Sequence, residues 1–186
     1  MPKVTAIVSA YFAEQFLDAR LANLLEQEPT PEIIVVCQRG SEEAQITWNY
    51  PVKVIYTQNV PYISHAWNLG IRRAKGEYIT NANSDDLLYP GGLAKMTKAL
   101  DDHPDMSVVF SNVDIQEPGT SAKRWKRANQ DTGEYDTREL LRGRSIIGPM
   151  PMWRKICGLY DESLKVAQDY EFFARIAFEG KRFWYL

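Results

Sequence analysis

Asn83-Ser84-Asp85-Asp86 is the segment of the chain with the most obvious chemical use. It follows a strand-like segment, Glu77 to Thr80, so both carboxylates stand at a strand's carboxyl end. Adjacent carboxylates repel each other, and forming a turn does not require both. A hard divalent cation, Mg²⁺ or Mn²⁺, removes the repulsion, and such ions are commonly held by one or two carboxylates together with substrate phosphates. Asp85 and Asp86 are therefore candidate metal ligands. The competing reading is an Asp-rich turn before the next helix, a role that Asp86 could fill by itself.

Asp169 is the second feature, in Gln168-Asp169-Tyr170-Glu171 at the start of a helix that buries Phe172, Phe173, Ile176 and Ala177. Alone it reads as an N-cap, and a chemical role depends on what else the chain contains. Tyr11, directly after the first strand, can stack on a base or pack in the core. Trp67 reads as core. His65 and His103 are the only histidines, too few for a His-based metal site. There is no G-x-S-x-G elbow for a serine nucleophile. Neither G-x-G-x-x-G nor G-x-x-x-x-G-K-[ST] occurs, so both common glycine-rich phosphate cradles are missing.

These residues are positioned by alternating strands and helices. Val4 to Ala10, Ile33 to Cys37 and Val52 to Tyr56 are short apolar runs, suited to strands of a parallel sheet. Between them, Phe16, Leu17, Leu21, Leu24 and Leu25 recur at helical spacing, and Ser41 can cap a short helix with Glu42 and Glu43 in its first turn. Ser64 to Ala74 predicts a helix that stops near Gly76. The second half is less regular: a helix over Gly91 to Leu100, a strand over Ser107 to Phe110 and a polar, loop-rich stretch from Gln116 to Tyr135. A short helix over Thr137 to Arg142, a helix over Asp169 to Glu179 and a strand over Arg182 to Leu186 complete it. The pattern predicts one α/β domain over 1–186 with a mostly parallel, Rossmann-like sheet flanked by helices and ligands at the strands' carboxyl ends. A nucleotide-binding half covers about 1–100 and an acceptor-side half about 101–186.

The composition, 45% hydrophobic over 186 residues, supports one well-buried core. A net charge of -2 gives no global basic field, so nucleic acid is not an expected partner. Lys123, Arg124, Lys126 and Arg127 around Trp125 form a basic run, read as a solvated loop or a local anion site. Cys37 and Cys157 lack CxxC spacing and are compatible with a reducing compartment. Met1-Pro2-Lys3 runs straight into a strand, leaving no room for a signal peptide, and no apolar run approaches the ~20 residues that span a bilayer. A cytoplasmic domain is expected, peripheral at most to a membrane.

Taken in order, Ile7-Val8-Ser9-Ala10-Tyr11, Ile33-Ile34-Val35-Val36, Ala66-Trp67-Asn68-Leu69-Gly70-Ile71 and Ala74-Lys75-Gly76-Glu77-Tyr78-Ile79 form a recognisable series. It continues with Asn83-Ser84-Asp85-Asp86, Gly158-Leu159-Tyr160-Asp161-Glu162 and Gln168-Asp169-Tyr170-Glu171. The series covers essentially the whole chain and resembles the large family 2 of inverting glycosyltransferases with the GT-A fold. The resemblance implies a nucleotide-diphosphate sugar donor, a UDP-sugar foremost, and a glycan or other hydroxyl acceptor. It implies that Asp85, with Asp86 beside it, holds the Mn²⁺ or Mg²⁺ that bridges the donor diphosphate, and that Asp169 is the catalytic base. Ser9, Tyr11, Gln38, Asn68 and Ser84 fall on the nucleotide and donor side. The segment around Pro149, Met150 and Trp153 falls on the donor-sugar and acceptor side.

The chain departs from the family pattern in three places. Cys37, Gln38 and Arg39 stand where an acidic pair usually meets the base. Asn83 stands for the first acid of the metal motif, and Gln168 for an acid before the base. The family often continues beyond a point such as Leu186, with groups that close over the donor. The expected reaction is a single in-line displacement at the anomeric carbon, which inverts it. Two rivals remain: a sugar nucleotidyltransferase, for which Tyr11-Phe12-Ala13-Glu14 offers no glycine-rich loop, and a silent carbohydrate- or partner-binding domain on the same fold.

Overall fold

The apolar run Val4–Ala10 forms the first strand, β1, almost wholly buried because both faces of the sheet are covered. The computed structural model describes residues 2–59, 62–115, 121, 123–125, 130–142 and 147–186, with the backbone alone at 123–125 and 141. In chain order, β1 is followed by α1 (Glu14–Leu25), β2 (Glu32–Gln38), α2 (Glu42–Ile46), β3 (Lys53–Thr57), α3 (Ile63–Arg73) and β4 (Tyr78–Asn81). Then come α4 (Gly92–Asp102), β5 (Met106–Phe110), β6 (Val113–Ile115), β7 (Lys123–Trp125), β8 (Gly133–Tyr135), α5 (Arg138–Leu141), β9 (Met152–Arg154), α6 (Gln168–Phe178) and β10 (Arg182–Tyr185).

Eight strands form one sheet in the order β3-β2-β1-β4-β9-β5-β10-β8, and β6 pairs with β7 apart from it. β3, β2, β1 and β4 run parallel, as do β5 and β10, whereas β9 is antiparallel to both β4 and β5. The even residues of β1, with Leu17, Leu21 and Leu24 of α1 and Leu93, Met96 and Leu100 of α4, fill one face. Ile7, Ile34 and Ile79 face the other, against Trp67 and Ile71 of α3 and Phe172, Phe173 and Ile176 of α6. α3 lies so close to β1 that a Cβ on Gly70 would come within 2.4 Å of Ile7.

β1 and the α2 cap agree with expectation: Ser41 accepts the Ala44 N–H as N-cap. Three readings differ. β9 forms where a cleft-lining segment was expected, because three residues can complete a sheet when strands on both sides supply their hydrogen bonds. The stretch read as loop-rich also carries β7 and β8. The N-cap position of α6 belongs to Ala167, in left-handed backbone, and not to Asp169, which lies inside the first turn. Of the basic run, Lys126 and Arg127 lie outside the described residues. No described helix is long and apolar enough to cross a membrane.

Candidate active site

The carboxyl ends of β1, β2 and β4 form one edge, and most of the sequence-predicted residues gather there. β1 delivers half-buried Ser9 and, just past its end, Tyr11. The Tyr11 hydroxyl is 2.5 Å from Thr57 Oγ1, which ties the ring across β2 to the end of β3. Burial raises the pKa of the Tyr11 phenol, partly offset by that bond. Gln38 ends β2 beside Thr57 with its side chain exposed, while Cys37 before it is buried. The next turn is pinned by Glu43, which accepts the Ala13 N–H at 3.0 Å. Burial pushes the Glu43 carboxyl up, but hydrogen bonds from Ala13 and its neighbours outweigh it and hold the pKa below the usual range.

The acidic turn is fixed at both ends. Ala82 N–H donates to Ile7 O at 2.8 Å, and Asn23 holds Leu88 at both its N–H and its C=O, each at 2.9 Å. Within it, Asn83 Nδ2 donates to Asp86 Oδ2 at 2.9 Å, so Asn83 orients one of the two carboxylates. Ser84 is half-buried and Asp85 exposed. Among the described residues, no group of three or more His, Cys, Asp or Glu side chains is placed to hold a metal. Two carboxylates on an open turn do fit a Mg²⁺-like ion that completes its shell with phosphate oxygens and water.

A cleft of about 290 Å³ opens beside this turn. Its lining includes Asn81 and Asn83 from the end of β4, Trp67 from α3, Tyr160, and Asp169 and Phe173 from α6. The irregular segment Ile147 to Pro151 supplies the remaining wall. Asp169 is exposed, and its Oδ1 accepts the Tyr170 N–H at 2.8 Å. The Tyr170 hydroxyl in turn donates to Leu140 O at 2.8 Å, which anchors the start of α6. Pro149 and Met150 line the cleft; Met150 sits in left-handed backbone with its side chain turned into the core.

Two predicted site residues are corrected. Trp153 is fully buried on β9, edge-on to Phe172 and Phe173, and is core, because β9 is an interior strand flanked on both sides. Asn68 is also fully buried. It donates to Tyr160 O at 2.9 Å and to Glu162 Oε1 at 2.8 Å, and accepts the Tyr160 N–H at 2.9 Å. Its amide is used in holding the Gly158–Glu162 segment against α3, and it does not line the cleft.

Sequence reasoning missed Asn81 and Arg20 and left Trp67 as core alone. Arg20 is fully buried in α1, donates to Asn23 Oδ1 at 3.2 Å and reaches the Met150 sulfur. Burial pushes its guanidinium down to about 10, opposed by the negative charges of Asp86 and Asp85. A buried cation thus lies beneath the acidic turn and offsets part of its repulsion. Its position between Leu17, Leu21 and Leu24 on the buried stripe was the available signal.

The model of the family "Glycosyl transferase family 2" matches residues 5–156, which contain the strand-end residues and the acidic turn. An uncharacterised glycosyltransferase of Rickettsia typhi is 27% identical over 182 residues, covering 91% of this chain and 57% of the relative. A second relative, the uncharacterised protein y4gI of Sinorhizobium fredii, is 28% identical over 150 residues, 75% of this chain and 16% of its own length. The chain therefore spans little more than half of one relative and a sixth of the other. S. aureus TarS 1-349, solved in complex with UDP, superposes with a TM-score of 0.82 at 20% identity, covering 99% of this chain and 57% of TarS 1-349. The mannosyltransferase PcManGT from Pyrobaculum calidifontis, in complex with GDP-Man and Mn²⁺, does so at 0.70 and 18%, covering 100% of this chain and 56% of that one. The fold is the GT-A fold these structures share, and with most of its length matched by the family model the chain belongs to glycosyl transferase family 2.

Proposed function

We propose that this domain transfers a sugar from a nucleotide-diphosphate donor to an acceptor hydroxyl with inversion. The observation that carries the reading is a single cleft with the acidic turn's Asn83 and the carboxylate of Asp169 both on its lining. In-line displacement needs one group to steady the leaving diphosphate and another to take the proton of the incoming hydroxyl. Asp85 and Asp86 suit the first task, and Asp169 the second. A divalent cation held by Asp85 and Asp86 together with the diphosphate would act as a Lewis acid on the developing charge.

Asp169 works here as an exposed carboxylate in the first turn of α6, with its Oδ1 accepting the Tyr170 N–H. Tyr11 and Gln38 offer the nucleotide an aromatic face and an amide at the ends of β1 and β2. Trp67, Tyr160 and Phe173 form an apolar wall that excludes water from the sugar. The Mn²⁺ and GDP-Man of PcManGT and the UDP of TarS support this class of ligand.

The test is a screen of uridine, guanosine and thymidine diphosphate sugars with Mn²⁺ or Mg²⁺, with release of nucleoside diphosphate measured. Release from at least one donor, abolished by chelator, is expected. Binding without release under every condition would favour the silent-domain reading.

A further inference from the structure

Asn81 is a polar residue at a position built for an apolar one. As the last residue of β4 it pairs with Ile7, and the alternation of the strand turns its side chain to the same face as Ile79, among Trp67, Tyr160 and Phe173. It is 5% exposed. One end of its carboxamide donates to the Tyr160 hydroxyl at 2.7 Å, whereas Oδ1 is buried with no protein partner. Turning the amide over exchanges which atom bonds Tyr160 and leaves the other alone.

A buried amide atom without a partner is a standing cost, and such groups in native proteins call for a reason. Anchoring Tyr160 does not supply one. The Tyr160 main chain is already held at N–H and C=O by Asn68, and its ring stacks on Phe172 with centroids 4.3 Å apart. The hydroxyl bond works in the other direction, setting the plane of the Asn81 amide. Asn81 also lines the cleft that contains both Asn83 and Asp169. The group in transit must lie between the diphosphate and the base, so that cleft is where the sugar belongs. Apolar walls with a few placed polar atoms are how small-ligand sites fix orientation.

We propose that Asn81, held by Tyr160, recognises a hydroxyl or acylamino substituent of the donor sugar. The proposal rests on the donor-cleft reading above. The substituent supplies the partner that Asn81 lacks, and a site built around such a bond discriminates against sugars that cannot make it.

The test compares UDP with UDP-glucose and UDP-N-acetylglucosamine, and GDP with GDP-mannose, by calorimetry in Mn²⁺ on the intact domain. Asn81→Leu should leave affinity for UDP and GDP within about twofold and weaken at least one sugar conjugate about tenfold, the scale of one lost hydrogen bond. Asn81→Ser is smaller, cannot reach Tyr160, and gives the same comparison should leucine not be accommodated. Melting temperature would move for a structural role as well, so the ratio of conjugate to diphosphate affinity decides. An unchanged ratio, or parallel weakening of diphosphate and conjugate, overturns the proposal. Failure of the wild type to bind UDP or GDP at all would instead overturn the donor-cleft reading, and this inference with it.

Discussion

Two hollows of similar size lie at opposite ends of the parallel strands, and only one of them is the candidate site. The hollow at the amino ends holds about 350 Å³ against about 290 Å³ for the cleft, and Glu32, Lys53 and Lys75 line it. Its carboxylate is fully used by neighbouring groups. Glu32 Oε2 accepts from Thr5 Oγ1 at 2.6 Å and from the Lys75 N–H at 2.7 Å, and Oε1 pairs with Lys53. At the carboxyl ends the polar groups keep capacity in reserve: Asp85 and Asp169 are exposed, and Asn81 has an unpaired atom. Unused bonding capacity, and not volume, separates a site from a crevice. The difference should appear in mutants as activity lost without stability at one end, and stability lost without activity at the other.

The sharpest break should come at Asp169. Asparagine keeps an oxygen for the Tyr170 N–H and removes one exposed charge from the first turn of α6, so Asp169→Asn should change stability by only ~0.3–1 kcal/mol. It cannot take a proton from an acceptor hydroxyl, so turnover should fall by about 10²–10⁴-fold with donor affinity unchanged. Transfer rate, donor affinity and melting temperature measured on one preparation decide this. Near-normal transfer would mean that the base lies elsewhere.

Asp85→Ala should be the next largest. Removing one of two carboxylates from an open ion site should weaken binding of the nucleoside diphosphate in Mn²⁺ by about tenfold or more, ~1.4 kcal/mol. Chelator should do the same to the wild type, and the melting temperature should hold because the side chain is exposed. Equal affinity with and without the cation would sink the idea.

Glu32→Gln should show the opposite signature, about 1 kcal/mol of lost stability, a melting shift of ~2–4 °C, and no change in nucleotide binding. The Glu32 side chain is 5% exposed. Burial raises its pKa, but hydrogen bonds from Lys53, Thr5 and Lys75 outweigh that and leave it below the usual value. A carboxyl depressed in the folded state stabilises above its unfolded pKa, and that contribution is lost as pH falls through the folded one. Wild-type stability should therefore decline in that acidic window more steeply than that of Glu32→Gln. Matching declines would remove Glu32 from the account.

The same contrast marks what could be read in the sequence. β1 and β2 were legible because strands covered on both faces are continuous apolar runs, and the Ser41 cap because its partner lies three residues away. β9 was not, since Met152–Arg154 is defined by partners 43 to 76 residues off in β5 and β4. Trp153 was assigned to the cleft because it neighbours Pro149 and Met150 in sequence, whereas the strand turns it into the core. Asn68 belongs to an ordered motif, but its buried amide serves the chain segment opposite and not a ligand. The acidic turn and Asp169 stood out by residue type and position. Asn81 did not, because its neighbours Trp67, Tyr160 and Phe173 converge only in three dimensions.

The smallest effect is expected at Gln38, and it tests how finely the nucleotide end of the cleft is built. Gln38 closes β2 in register with Thr57, its side chain exposed, while the preceding Cys37 is turned into the core. Of the three residues at the acidic pair's usual place, Gln38 and Arg39 are exposed, and Gln38 is the one that closes the strand. A carboxylate there can only accept hydrogen bonds; an amide offers a donor and an acceptor and can turn over to match either edge of a base. Exposure to water further dilutes what any one such bond is worth. Uridine, guanosine and thymidine diphosphates should accordingly bind with affinities within about tenfold of one another, ~1.4 kcal/mol. Gln38→Ala should weaken all three slightly, whereas Gln38→Asp should widen the spread by favouring a base that presents an N–H. A wild-type preference for one base beyond about a hundredfold, ~2.7 kcal/mol, would show that groups other than Gln38 read the base.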